Sequence, residues 1–162
     1  MSTLVSVGNA HQPFTRLLNA VAANAPSLPQ PVIVQHGHTP FSSKDCRAVP
    51  FFEMSEFERL IADSTLVIVQ AGGGGVLQAL RSGKVPVVMP RQERLGEAVD
   101  DHQGNWGRAL YKTGRVVLVE DAAQLMIGVG RALAQQEEYV GQVIEIPLVD
   151  LVRDALRGRL SS

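Results

Sequence analysis

The segment Leu66–Gln70 is a short apolar, β-branched run that meets four consecutive glycines, Gly72, Gly73, Gly74 and Gly75, and a helix-compatible stretch, Val76–Arg81, follows at once. Glycine loses more backbone freedom on ordering than any other residue, so the run reads as a loop rather than as a helix or strand interior. Bare N–H groups in such a loop can face a ligand lying over the start of the following helix. Aligned peptide dipoles and unpaired donors favour an anion there, which points to phosphate or diphosphate chemistry. Two phosphate signatures are excluded. A Walker A loop needs Gly-x-x-x-x-Gly-Lys-Ser/Thr, but Gly83-Lys84 comes after the helix and precedes Val85. The dinucleotide fingerprint Gly-x-Gly-x-x-Gly fails at its last position, which is Leu77 counted from Gly72 and Gln78 counted from Gly73. The competing reading is a flexible or tightly packed strand–helix turn that binds nothing, for which one glycine would normally be enough.

A second group with chemical potential is Asp100-Asp101-His102-Gln103, which offers acceptors and donors suited to hydroxyl groups. Its plain reading is a solvated pair of carboxylates and a histidine that only caps locally. His36-Gly-His38 has metal-ligand spacing but no third companion in sequence, so two loop histidines are favoured over a metal site. Lys84, Arg91 and Arg94 read as a polar rim, and Trp106 as a residue that packs its helix on a sheet.

Composition narrows the setting. The chain has 162 residues, enough for one domain with a real core, with 45% hydrophobic and 19% charged residues. The net charge of −1 gives no support to a general nucleic-acid role. One cysteine, Cys46, excludes an internal disulfide framework and fits a reducing compartment. The N-terminus shows no signal-peptide pattern, and the apolar runs fall well short of the roughly 20 residues that span a bilayer.

The elements that must hold these residues alternate. Thr3–Val7 is expected as a strand ending in Gly8-Asn9, and Phe14–Ala25 as a helix with Phe14, Leu17, Leu18, Val21 and Ala22 on one face. A proline-rich loop leads to a strand at Val32–His36 and a short one at Arg47–Phe51. Ser55 is expected to cap a helix to about Ala62, with Glu58 completing a capping box. Leu66–Gln70, Val85–Met89 and Val116–Val119 supply further strands. Helices are expected over Val76–Arg81, part of Asp101–Lys112, Ala122–Gln136 and Leu148–Arg159. Apolar strands alternating with helices indicate an α/β, Rossmann-like parallel sheet covered on both faces, with ligands beyond the carboxyl ends of its strands. The loops at Gly8-Asn9, Gly37-His38, Gly72–Gly75 and Pro90-Arg91 all lie there. The terminal segment 147–162 patterns as an amphipathic helix, with Leu148, Leu151, Val152, Ala155 and Leu156 on one face, whose plain reading is packing on the chain's own sheet and whose functional reading is contact with a partner.

The order of motifs is more specific than any one of them. Strand-plus-Gly8 is followed by Val34-Gln-His-Gly37, Phe52-Glu-Met-Ser-Glu-Phe57, Ala71-Gly-Gly-Gly-Gly-Val-Leu-Gln-Ala-Leu80, Gly83-Lys-Val-Pro-Val-Val-Met-Pro90 and Asp100-Asp-His-Gln103. Across nearly its whole length the chain resembles the C-terminal, nucleotide-sugar-binding domain of glycosyltransferase family 28, which includes the small subunits of split bacterial polysaccharide glycosyltransferases. The resemblance implies one half of a two-domain GT-B enzyme, in which this half binds a UDP-sugar and the other half binds the acceptor. The expected partners are thus a UDP-sugar donor and a membrane-associated acceptor-binding subunit, or else a second copy of this chain, met through 147–162. The expected location is cytoplasmic, peripheral at the inner face of the membrane through that partner. No metal or other cofactor is called for.

Carried over position by position, the resemblance places Gly72–Gly75 at the diphosphate, Gln78 at the ribose, Met54 near the uracil, and Asp101, His102 and Gln103 at the sugar, with Gly8 and Asn9 also lining the donor site. No catalytic base is implied, because in this architecture it comes from the acceptor half. Four positions depart from the pattern: Gln70 stands where relatives carry histidine, Gln78 where they carry glutamate, Gly75 where they carry serine or threonine, and Thr65 where they carry aspartate. The function implied is the donor-binding subunit of an inverting, UDP-sugar-dependent hexosyltransferase, acting in exopolysaccharide or other lipid-linked glycan assembly. The alternative is a regulatory or scaffolding subunit that keeps the fold without turnover.

Overall fold

A computed structural model describes residues 1–139. In it six strands form one parallel sheet: β1 (Thr3–Ser6), β2 (Val32–Gln35), β3 (Cys46–Val49), β4 (Leu66–Gln70), β5 (Val87–Met89) and β6 (Val117–Leu118). Their order is β3-β2-β1-β4-β5-β6, so the chain winds outward from β1 in one direction, returns, and winds outward in the other. Five helices follow strands: α1 (Thr15–Asn24), α2 (Met54–Asp63), α3 (Gly73–Arg81), α4 (His102–Lys112) and α5 (Leu125–Tyr139).

The strands are apolar on both sides because helices cover both faces. Along β4, Leu66 and Ile68 enter a core with Leu17, Leu18 and Val21 of α1 and Leu125 and Val129 of α5. Val67 and Val69 point the other way, into a core with Ile61 of α2, Val76 and Leu80 of α3, and Trp106 and Leu110 of α4. Trp106 thus packs its helix on the sheet, as its plain reading expects. The α/β, doubly covered sheet expected from the alternation is the observed fold.

Several boundaries differ, each for a physical reason. Proline lacks an N–H for the ladder, so β5 starts after Pro86 and β3 stops before Pro50. The outer ladder reaches only Val117–Leu118. Before α5, the Asp121 carboxylate accepts from the Ala123 N–H and holds a 3-10 turn over Ala122–Gln124. The capping box expected at Ser55 and Glu58 does not form. α2 begins at Met54, its N-cap is Glu53, and Ser55 lies inside the first turn. The glycine run is not a free loop: Gly72 is the N-cap of α3, and Gly73, Gly74 and Gly75 are its first turn. Entropic cost makes glycine a poor helix interior residue, but packing of Val76, Ala79 and Leu80 extends this helix backward over it. The helix expected over 148–159 lies outside the described residues.

Candidate functional site

In an open parallel sheet the loops diverge where the strand order reverses, and a crevice opens at the carboxyl ends of the two strands that flank that point. Here those strands are β1 and β4, and a cleft of about 460 Å³ lies there. It is built from the segment after β1 (Ser6, Gly8, Asn9), the end of β2 (Gln35), the β3–α2 connection (Phe51, Phe52, Met54), Phe57 of α2, and the β4–α3 junction from Val69 to Gln78.

One side of the cleft is apolar. Phe51 is 48% exposed and Met54 71% exposed, and both stand beside Phe52 and Phe57. A loop keeps such side chains in water only at a cost, and together they make a surface that a flat ring can cover. Their support is polar and ordered: the Phe52 N–H donates to Gln35 Oε1 at 2.8 Å, and Gln35 Nε2 donates to Ser6 Oγ at 3.0 Å.

The facing side consists of donors. The N–H groups of a helix's first turn have no intrahelical acceptor, and in α3 the N-cap Gly72 has no side chain to supply one. The four glycines there serve different ends. A Cβ on Gly72 would lie 2.9 Å from Gln70 Nε2, and one on Gly75 3.3 Å from Val69 Cγ1, so packing accounts for both. A Cβ on Gly73 or Gly74 would meet nothing within 4 Å. Packing therefore does not require those two to be bare, and their backbone lies open to the cleft. Ser6 Oγ already accepts from Gln35 Nε2 and from the Gly8 N–H at 3.3 Å, which leaves its own proton for an acceptor elsewhere. Uncapped N–H groups at a positive helix end suit a phosphate or diphosphate.

Behind the cleft sits Arg91. The reading of Arg91 as part of a polar rim is overturned, because it is 1% exposed. Its Nε donates to Gln70 Oε1 at 2.5 Å, Nη1 to the carbonyls of Gln12 (2.7 Å) and Glu97 (3.0 Å), and Nη2 to the carbonyl of Val7 (2.6 Å). Its own N–H donates to Gln103 Oε1 at 3.0 Å, and its guanidinium lies 4.8 Å from the centre of the Phe14 ring. Burial pushes its pKa down and the Glu97 carboxylate opposes that, but a guanidinium keeps its charge throughout the physiological range. Glu97, also buried, accepts from Arg16 Nε and Nη2 at 3.0 Å and from the Gln92 N–H. Of the other residues read as rim, Arg94 is exposed and Lys84 half-buried.

The structure gathers one group of the expected site residues and separates another. Gly8, Asn9, Met54, Gly72, Gly73, Gly74, Gly75 and Gln78 all line the same cleft. Asp101, His102 and Gln103 do not line it. Gln103 is turned inward, with Nε2 donating to Gln70 Oε1 at 3.2 Å. Asp101 accepts from the Glu93 N–H at 3.1 Å and borders a neighbouring polar cleft with Arg16, Arg94 and Arg108. The His102 N–H donates to Asp100 Oδ1 at 3.0 Å at the start of α4. His36 Nδ1 pairs with the Thr39 carbonyl, while His38 stacks on His11 at 4.3 Å, and no group of three or more ligating side chains occurs among the described residues.

Ser6, Gln35, Phe51, Phe52, Phe57 and Val69 line the cleft without a role expected from sequence, Gln70 reads from sequence only as a departure from the family pattern, and Arg91, behind the cleft, only as rim. Phe51-Phe52, apolar in a loop just past Pro50, carried a visible signal. The inward turn of Arg91 carried none.

No protein-family model matches the chain, and no curated protein matches it. Solved structures do. The glycotransferase of kitacinnamycin aligns with a TM-score of 0.62 at 16% identity, over 97% of this chain and 39% of its own. The calicheamicin glycosyltransferase CalG4 aligns at 0.57 and 19% identity, over 97% and 38%. The glycosyltransferase SnogD from Streptomyces nogalater aligns at 0.55 and 18%, over 98% and 38%. The fold is that of the C-terminal half of GT-B glycosyltransferases, and the chain spans well under half the length of these neighbours.

Proposed function

We propose that this chain is the donor-binding half of an inverting, UDP-sugar-dependent hexosyltransferase. The observation that carries the proposal is the two-sided cleft at the β1/β4 crevice, where an aromatic wall faces the uncapped, glycine-only first turn of α3. A nucleoside diphosphate has matching halves. Its base would cover Phe51, Phe52 and Phe57 beside Met54, and its phosphates would accept from the Gly73–Gly75 N–H groups. Gln78, on the second turn of α3, would reach the ribose hydroxyls, and Asn9 the far edge. When the sugar leaves, negative charge develops on the diphosphate, and oriented N–H donors at a helix start stabilise it without rearranging.

The groups that hold the acceptor and the base that deprotonates its hydroxyl would come from a separate membrane-associated subunit, or from a second copy of the chain. The fold shared with glycosyltransferases supports glycosyl transfer in general; the resemblance to family 28 alone motivates the finer reading, transfer in exopolysaccharide or other lipid-linked glycan assembly by a cytoplasmic chain held at the membrane by its partner. Asp101, His102 and Gln103 would then meet the sugar only after Gln103 exchanges its internal contacts for ligand.

A second reading, a regulatory or scaffolding subunit that binds nucleotide without turnover, is favoured by one observation: Gln103 and Gln70 are bonded to each other and to Arg91 rather than presented together to the cleft.

A thermal-shift and calorimetry panel of UDP, UDP-glucose, UDP-galactose, UDP-glucuronate and UDP-N-acetylglucosamine tests both readings. A ligand that binds only the folded state raises Tm with concentration. The donor reading expects UDP to bind and one UDP-sugar to bind more tightly than UDP. Equal affinity for UDP and every UDP-sugar favours the non-catalytic subunit, and no response to any of them ends both.

A further inference from the structure

We infer that Arg91 is a positioning residue: it holds the Gln70 carboxamide so that the NH2 group, and not the carbonyl, faces the cleft, which makes Gln70 a donor to phosphate-type oxygens. The inference rests on the nucleotide site proposed above and adds to it a donor and the device that orients it.

A glutamine amide alone has no fixed sense, because its terminal torsion is broad and its two ends are similar in shape. Arg91 removes that ambiguity. A guanidinium has donors and no acceptor, so the atom of Gln70 lying 2.5 Å from Arg91 Nε must be the oxygen. Gln103 Nε2 adds a second donor to the same oxygen at 3.2 Å. Reversing the amide would set an NH2 against the Arg91 N–H and turn a carbonyl toward the ligand's phosphate, which is unfavourable at both ends.

The opposite end of the amide is therefore assigned as well. Gln70 Nε2 lies between the two glycines that border the cleft. A Cβ on Gly8 would fall 1.7 Å from it, and one on Gly72 2.9 Å from it. The positive φ of Gly8, 72°, and its missing side chain both leave room for this group. No acceptor for Nε2 occurs among the described residues, while Oε1 has two donors. Arg91 itself does not meet the ligand in this arrangement, because it is 1% exposed, does not line the cleft, and spends three more N–H bonds on the carbonyls of Val7, Gln12 and Glu97. Its influence on the cleft passes through Gln70.

The first test needs no ligand. In the NMR spectrum of the full chain, the Gln70 side-chain NH2 protons should show cross-peaks to the Hα atoms of Gly8 and Gly72; their absence from a resolved, assigned spectrum overturns the inference. The second is calorimetry with UDP. Gln70→Glu keeps the side-chain length and offers Arg91 a better acceptor, but it removes the donor and adds negative charge. Tm should hold or rise while UDP affinity falls about tenfold or more, because the hydrogen bond lost is one to a charged group. Third, Arg91→Met should weaken UDP binding in the parent and cause no further loss in a Gln70→Ala background, because coupled residues are non-additive. A purely structural role predicts the same loss in both backgrounds and would overturn the assignment to Arg91; Arg91→Lys takes its place in the cycle if Arg91→Met does not fold. Gln70→Glu that binds UDP within twofold of the parent overturns the inference and leaves the nucleotide site standing. A parent chain that binds neither UDP nor any UDP-sugar overturns both.

Discussion

Gly73 and Gly74 are separated from Gly72 and Gly75 by what a side chain would meet. Gly72 and Gly75 are bare because Gln70 and Val69 crowd them, whereas Gly73 and Gly74 open onto the cleft. Stability and binding should therefore part company at Gly74. Gly74→Ala is expected to stabilise the chain by about 0.4–1 kcal/mol, as glycine replacement does at an unstrained position, while weakening UDP binding by blocking approach to the backbone. Gly74→Asp should leave the fold intact, since a carboxylate suits the first turn of a helix, and should abolish UDP binding by occupying and repelling at the phosphate position. Denaturant unfolding and calorimetry on the same samples check both; a folded Gly74→Asp chain with unchanged UDP affinity removes this turn as the phosphate site.

Among the elements, the two helical layers have different duties. α3 and α2, with the connections leading into them, build the cleft, whereas α1 and α5 cover the other face of the sheet. α5 comes close to the sheet through Gly128, where a Cβ would lie 2.4 Å from Val119 Cγ2. Gly128→Ala should force α5 away and cost about 1–3 kcal/mol, the usual range for overpacking. Because α5 lies across the sheet from the cleft, UDP affinity measured well below the lowered Tm should change by less than about twofold, as expected of distant, independent sites. A large loss of affinity with unchanged stability would show that α5 reaches the site.

For the whole molecule, the decisive fact is extent. The chain covers 38% or 39% of each aligned glycosyltransferase. The proposed reading concerns donor binding by the described residues, and none of the described helices is long and apolar enough to cross a membrane. Segment 147–162 lies outside the described residues, and its amphipathic pattern is expected from sequence to meet that partner. Deleting it should leave UDP binding within a few-fold of the parent, yet remove co-purification with the acceptor-binding subunit and sugar transfer to a lipid-linked acceptor. Full transfer by the truncated chain with its partner would reject that role.

The parallel sheet and its covering were legible in the sequence because strand-length apolar runs and helical periodicity are local patterns, as in Leu66–Gln70 and Leu17-Leu18-Val21. The position of the cleft was legible in outline, since the glycine run and Gly8-Asn9 fall at strand ends whatever the exact packing. Element ends were less so: the first turn of α3 and the start of α2 were set by side chains farther along each helix, against the local preferences of Gly73–Gly75 and Ser55. What only the tertiary structure decided was the direction of polar side chains. Gln70 ends β4, Arg91 lies in the connection after β5 and Gln103 lies on α4, and their bonds span 12 to 33 residues of sequence. No local pattern states that an arginine after a strand will turn inward. It does so because the buried carbonyls of Val7 and Glu97, brought together by the fold, need donors that water does not reach, and the partly buried carbonyl of Gln12 takes a further N–H.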